Sequence, residues 1–287
     1  MNIKSLLEEK VNRFLLKSCA MVFMLAAAGF GQDWKGFYVG GNSAGVKGNS
    51  DAFTSTVFSS TGYFALSSLP AIASTGHQKL SPRGFNGGGQ AGYNFQAGHW
   101  VLGVETDFGS MHMKDDLTAT GIYPCCTTTN FTITQTVDTD WLMTVRSRIG
   151  VANAHVLVYG TGGLALTNFN YKEDFIDTFA TAHESASTSG LLTGWTGGAG
   201  VEFKIGNTNH WSLKGEYLFA DFGSGLKATS TNLTFVTTPP PPPPPPSDAP
   251  AAVTAFTQAV VASPTNIFTH QADLTTHIFR AGFNYRF

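Results

Sequence analysis

The chain has 287 residues, 13% of them charged and 32 of them glycine, with a formal net charge of -2 and a pI near 6.4. Charged residues are about half the ~25% usual in soluble globular domains and glycine exceeds the usual ~7%, so much of the surface is not built for water. No basic excess is present, which excludes the electrostatic footprint of a nucleic-acid binder.

Residues 1–31 read as an export signal. Lys4, Lys10, Arg13 and Lys17 precede an apolar run from Cys19 to Phe30, and small residues place cleavage after Ala28 or Gly31, leaving 32–287 as the mature domain. The run is too short for a helical span, which needs ~20 apolar residues, and no later stretch reaches that length. A mature chain held in a membrane must therefore cross it as strands.

Eight strand-like segments follow, at about 34–47, 84–97, 99–112, 139–153, 155–170, 191–206, 209–223 and 274–287. Each exceeds the ~9–11 residues a tilted membrane strand requires. Their connections alternate: 48–83, 113–138, 171–190 and 224–273 are long, whereas 97–99, 153–155 and 206–210 are tight. Long and short joins in alternation put all tight turns at one end of an antiparallel meander. Short periplasmic turns and long external loops are the pattern of outer-membrane barrels, and this pattern leaves both mature termini periplasmic.

Within most segments the charges share one side. Glu105 and Asp107 oppose Trp100, Leu102, Val104 and Phe108; Arg146 and Arg148 oppose Met143, Val145 and Ile149. Glu202 and Lys204 oppose Val201, Phe203 and Ile205, Lys214 and Glu216 oppose Leu213, Tyr217 and Phe219, and Arg280 and Arg286 oppose Phe279, Phe283, Tyr285 and Phe287. Segment 155–170 is small or apolar on both faces and leaves its register open.

Alternation alone does not say which face is inside, since a soluble barrel buries its apolar face. Both charge signs are present, as groups confined to a lumen require for pairing. Trp34, Trp100, Trp141, Trp195 and Trp211 all lie at segment beginnings, where interfacial aromatic girdles belong. The expected fold is therefore all-β, an eight-stranded antiparallel up-and-down transmembrane β-barrel.

The blocks WKGFYVGGNSAG (34–45), GGGQAGYNFQAGHWVLGVETDF (87–108), VRSRIGVANAHVLVYGTGGLAL (145–166), GWTGGAGVEFKIGNTNHWSLKGEYLFADFG (194–223) and HIFRAGFNYRF (277–287) carry a resemblance. They resemble the small eight-stranded outer-membrane β-barrel proteins of Gram-negative bacteria, the porin family related to the transmembrane domain of OmpA. The resemblance implies outer-membrane location, contact with outer-membrane lipid, and exposed loops. It also implies insertion guided by a terminal aromatic, Phe287, through periplasmic chaperones and the barrel-assembly machinery. It implies no shared activity.

Local motifs add no catalytic chemistry. GNSAG (41–45) places Ser43 as a nucleophile would be, but inside a strand with no helix to follow. GTGGLA (160–165) lacks the helix N-terminus that holds a phosphate. His99, His155 and His210 fall at tight turns, and no spacing among His112, His183 and the loop serines suggests an enzyme. Cys125 and Cys126 are adjacent, too close for an unstrained bridge to each other. No catalytic residue, cofactor or metal ligand is assigned. Pro239 to Pro246 read as a polyproline spacer of about 25 Å.

Eight strands leave an interior just wide enough for side chains. Glu105, Asp107, Arg146, Arg148, Glu202, Lys204, Lys214, Glu216, Arg280 and Arg286 are expected to fill it as a structural ion-pair network. The functional expectation is a structural surface protein whose loops meet a ligand or host partner. A narrow channel, haem capture by the loops, and an outer-membrane lipid-modifying enzyme are the alternatives.

Overall fold

The computed structural model describes residues 34–126, 128–206, 210–237 and 259–287. The expected export signal and Pro239 to Pro246 lie outside them. The strands are β1 (Gly36–Thr56), β2 (His77–Leu80), β3 (Arg83–Ala97), β4 (Trp100–Ile122), β5 (Asn130–Ala152), β6 (Val156–Asp177) and β7 (His183–Ile205). They continue as β8 (Trp211–Asp221), β9 (Leu226–Ser230), β10 (Thr234–Thr237), β11 (Ala259–Ala262), β12 (Phe268–Ala272) and β13 (Thr275–Arg286), with one short helix, α1 (Leu69–Thr75).

Eight of these strands form a ring in the order β1, β3, β4, β5, β6, β7, β8 and β13, every pair antiparallel. Pairing of β1 with β13 from Tyr38↔Arg286 to Asn49↔Thr275 closes it. Closure is a necessity in lipid, where an unpaired edge would leave backbone N–H and C=O groups without partners. At the narrow-turn end, β3 and β4 are joined by Gly98 and His99 alone, and Gly98 takes φ +60°, which glycine adopts freely at the first central position of a two-residue hairpin.

The faces are those of a membrane barrel rather than a soluble one. Along β4 Val101, Glu105, Asp107 and Met111 are buried, while Trp100, Leu102, Val104 and Phe108 are between 52% and 62% exposed. Segment 155–170, undecided from its pattern, turns Leu157, Tyr159 and Ala165 inward and leaves Leu164 exposed. The apolar belt runs about ten residues along each strand, ~25 Å in height for tilted strands. Trp100, Trp211, Phe95 and Phe287 mark the narrow-turn edge, and the Phe108–Trp141 and Trp195–Phe219 pairs, at 5.9 and 5.4 Å, mark the other.

Two expectations need correction. Trp34 does not join a girdle: it is fully buried at the narrow-turn end of the lumen. Two of the segments expected as long loops, 113–138 and 171–190, are mostly strand, and 48–83 and 224–273 also contain strands. β4, β5 and β7 each contain 23 residues, so roughly half of each continues beyond the apolar belt. Their outer faces change from Leu, Val and Phe to polar side chains such as His112, Lys114, Thr134 and Ser187, and β6 presents Lys172 in the same way. Register shifts between Ser110 and Met113 and between Asp138 and Leu142 fall at this boundary. On β5 the shift changes the inward parity, from Leu142, Thr144 and Arg146 to Phe131, Ile133, Gln135 and Val137.

The extension is a second storey. β2 and β12 flank the outer half of β1, and β9 pairs with β12. β8 stops at Asp221, so the outer half of β7 faces β9 without a ladder between them. Asn232 Nδ2 donates to Ser185 O across this seam at 2.6 Å.

Candidate functional site

The interior is layered, and each layer follows from which inward positions the ring brings to one height. At the narrow-turn end Trp34 packs with Val101, Ala152, Leu157 and Tyr159. Its Nε1 donates to Asn153 O at 2.8 Å, and Lys204 Nζ and the Arg286 guanidinium lie 4.8 and 4.7 Å from its ring. These are cation–π distances.

Above this floor is the charged layer. Glu105 accepts from Arg146 Nη2 at 2.6 Å, Lys214 Nζ at 2.8 Å and the Tyr38 hydroxyl at 2.8 Å. Asp107 accepts from Arg146 Nη2, Arg280 Nη2 and Thr144 Oγ1 at 3.0, 3.0 and 2.5 Å. Glu216 accepts from Arg146 Nη1 at 3.0 Å and Tyr159 Oη at 2.9 Å. Glu202 accepts from Arg148 Nη1 at 3.3 Å, Asn284 Nδ2 at 3.0 Å and Ser212 Oγ at 2.5 Å, with Arg286 Nη2 3.7 Å away. The ten charged residues named from the sequence thus share one contiguous interior. Strand register accounts for much of it, since Glu105↔Arg146, Glu202↔Lys214 and Glu216↔Arg280 are directly opposed.

Glycine makes room for the aromatic members. A Cβ on Gly92 would lie 2.2 Å from Tyr38 Oη and one on Gly200 2.6 Å from Tyr159 Oη, so each tyrosine lies across a bare backbone position. Both phenols then reach carboxylates in the centre.

Toward the wide end the lumen becomes apolar, with Met111, Met113, Leu142, Phe169, Leu218 and Ile278 in one cluster. A second polar layer follows. His270, from β12, places Nδ1 3.9 Å from Glu173 Oε2 and Nε2 3.6 Å from Glu184 Oε1; all three side chains are fully buried. Ser230 Oγ donates to Glu184 Oε1. Burial, reinforced by the neighbouring Glu184 carboxylate, pushes the Glu173 carboxyl up to about 11. On Glu184 burial also opposes charge, but the adjoining His270, Glu173 and Ser230 side chains outweigh it and hold that carboxyl below its ordinary range. No spacing in the sequence singles out these three residues, because they lie on β6, β7 and β12 and only the closed second storey brings them together.

An aromatic lid covers this layer. Phe64, Phe131, Phe175 and Phe268 pack with ring centroids 5.6–5.7 Å apart, and Tyr123 is 4.9 Å from Phe131. Asp177 secures the lid, accepting from Tyr63 Oη at 2.6 Å and Tyr123 Oη at 3.0 Å.

The motifs set aside in the sequence are dispersed. Ser43 is mid-strand and exposed, paired with Gly87 and Ala281, and the GTGGLA run is the middle of β6. His99 and His210 bond backbone carbonyls at 3.3 and 2.7 Å, while His112 and His183 are on the outer face of the second storey. Cys125 and Cys126 are free thiols.

The chain is similar to known proteins. The chain is 36% identical over 153 residues to a 31 kDa outer-membrane immunogenic protein of Brucella melitensis, covering 52% of this chain and 58% of that one. It is 33% identical over 141 residues to a 22 kDa outer membrane protein of Rhizobium leguminosarum, covering 49% and 54%. The chain therefore spans little more than half the length of these relatives. Among solved structures, Neisserial surface protein A aligns over 88% of this chain and 97% of its own, at 12% identity and a TM-score of 0.36. OprG of Pseudomonas aeruginosa aligns over 88% and 97%, at 8% identity and a TM-score of 0.34. Residues 16–238 match the outer membrane protein beta-barrel domain, and the chain belongs to that outer-membrane family.

Proposed function

We propose that this outer-membrane barrel is a non-enzymatic structural and surface-display protein. Its narrow-turn end and both mature termini face the periplasm, and its second storey stands outside the cell. The observation that carries this reading is the strand length. β4, β5 and β7 contain 23 residues where the apolar belt uses about ten, so half the barrel is raised clear of the bilayer with a polar outer face.

The filled lumen argues against transport, because charged, apolar and aromatic layers occupy successive heights of one narrow interior. The ten charged residues of the lower layers serve as a structural plug, and the second storey offers a ligand or host partner a rigid surface rather than loose loops. A relative named as an outer-membrane immunogenic protein is in keeping with exposure at the cell surface. Insertion would pass through periplasmic chaperones and the barrel-assembly machinery, with Phe287 as the recognised aromatic.

Orientation is tested with a protease site inserted at the β6–β7 tip, between Thr178 and Thr181. External protease should cut it on intact cells. Cleavage only after permeabilising the outer membrane would overturn the reading.

A further inference from the structure

We propose that Glu173, Glu184 and His270 form a binding site for one divalent transition-metal ion, of the zinc class, inside the second storey of the barrel. One potential ligand atom from each residue lies within 4.8 Å of the other two, a spacing that an ion at ~2 Å from each would bridge after small side-chain adjustments.

The independent observation is an absence of donors. Neither oxygen of Glu173 receives a hydrogen bond, nor does Oε2 of Glu184, although both side chains are fully buried. A buried carboxylate without a donor is costly. The same barrel shows the alternative in its lower layer, where Glu105 receives three cationic side chains, Arg146, Lys214 and Arg148, and a phenol. Around Glu173 and Glu184, among the described residues, the ion-pair partner is His270 alone. Without a metal, burial keeps a proton on Glu173, so only one charge of the pair is present; a divalent ion seated between the two carboxyl groups and the imidazole would displace that proton and let both carboxylates ligate it.

The imidazole indicates the metal class. One nitrogen with two carboxylates suits zinc and its neighbours, whereas magnesium and calcium favour oxygen alone. The surroundings also orient the ring. His270 Nδ1 is 3.2 Å from Thr54 Oγ1, which accepts from Gln135 Nε2 at 3.0 Å and lies 3.3 Å from the Tyr171 hydroxyl. With the Thr54 proton directed to Tyr171, Thr54 Oγ1 accepts from Nδ1–H. Nε2 faces Glu184 and lies 3.2 Å from Ser230 Oγ; an ion bound at Nε2 would take the place of that hydroxyl, with the Nδ1–Thr54 hydrogen bond as the usual outer companion of a metal-bound histidine.

A cleft of about 590 Å³ lies at the seam between β7 and β9, lined by residues that include Lys172, Asp174, Ser187, Thr229, Ser230 and Asn232. The three ligand side chains are fully buried behind it, so an ion would enter by parting this unladdered seam.

The test is calorimetric titration of the full chain, refolded in detergent micelles, with zinc. One saturable site is expected, undiminished by about 100-fold excess magnesium. E173Q and H270Q should each weaken it on the order of 100-fold or more, since even outer-shell losses cost 10–100-fold. H183A is the control, because His183 and Asp174 form an exposed pair 3.1 Å apart beside the cleft. A wild type that shows no saturable binding overturns the proposal, as does zinc binding that H183A removes and H270Q leaves intact. E173Q and H270Q are scored only where heat-shifted mobility on SDS gels shows a folded barrel. Should neither fold, cobalt added to the wild type decides: visible d–d bands at one equivalent, displaced by zinc, support the site, and their absence sinks it. Surface exposure of the second storey is read separately by proteolysis, so either idea can fail without the other.

Discussion

Arg146 on β5 and Glu216 on β8 meet across the lumen with Nη1 3.0 Å from Oε1, although two strands of the ring separate theirs. The same guanidinium takes Glu105 on β4 at 2.6 Å and Asp107 at 3.0 Å. One side chain therefore ties both sides of the barrel through its centre, and its removal leaves three buried carboxylates short of a donor. Arg146→Met should destabilise the folded barrel by about 3–5 kcal/mol, the usual cost of breaking a buried ion pair by removing one partner. Denaturant unfolding in vesicles, followed by heat-shifted mobility, measures it. Glu216→Gln should cost less in the Arg146→Met background than alone, and equal costs in both backgrounds would show that the pair is not coupled.

The same cross-lumen contacts predict electrical silence. Purified barrels in planar bilayers should give no steady conductance, because Trp34, the charged layer and the Met111–Leu142–Ile278 layer obstruct the axis in turn. A reproducible single-channel step from the wild type would refute the filled lumen.

Much of the barrel was legible in residue order, and the reason is periodicity. On β4 and β13 the period-2 separation of charge from apolar residues survives the full membrane span, so Glu105, Asp107, Arg280 and Arg286 could be placed inward before any register was known. The second storey obeys the same period, with Phe131, Ile133 and Val137 inward and Thr132, Thr134 and Thr136 outward. Two things hid it. The outer face there is polar, which resembles a loop, and the register shift between Asp138 and Leu142 breaks the parity that links it to the membrane segment. Trp34 misled for a different reason: a tryptophan at the start of a strand looks like a girdle residue, and only closure of the ring shows that it points into the lumen. The Glu173, Glu184 and His270 cluster was out of reach altogether: β6 and β7 form one hairpin, but His270 comes from β12, far along the chain, and only closure of the second storey brings it to them.

Asp177 is the fastening of the aromatic lid. Besides the Tyr63 and Tyr123 hydroxyls, its Oδ1 accepts the backbone N–H groups of Ala180 and Ala182 at 3.3 and 2.8 Å. Hydrogen bonds to a charged group contribute about 1.5–3 kcal/mol each, so Asp177→Ala should free the segment carrying Tyr63 and α1 without unfolding the membrane ring. Limited proteolysis of refolded protein should cut the variant within 57–76 at least about tenfold faster than wild type, as loss of about 1.4 kcal/mol already implies. Heat-shifted mobility should persist. Loss of that mobility would mean that the lid and the ring fold as one unit.

Phe287 makes contacts that matter for docking more than for final stability. Its ring is 69% exposed, lies 5.7 Å from Phe37 and 5.2 Å from Tyr285, and its N–H donates to Phe37 O at 3.1 Å, beside the β1–β13 seam that closes the barrel. An exposed ring in water would contribute little, but at the edge of the apolar belt it is placed as an interfacial aromatic anchor, and the insertion role proposed for it makes a distinct prediction. Deleting Phe287 should therefore lower the amount of barrel assembled in cells severalfold, while barrel that does form unfolds at nearly the wild-type denaturant concentration. Phe287→Tyr should assemble nearly as well as wild type, because the aromatic ring and its interfacial position are kept. Equal assembly of the deletion and the wild type would remove Phe287 from any role in insertion and leave the seam hydrogen bonds alone to close the barrel.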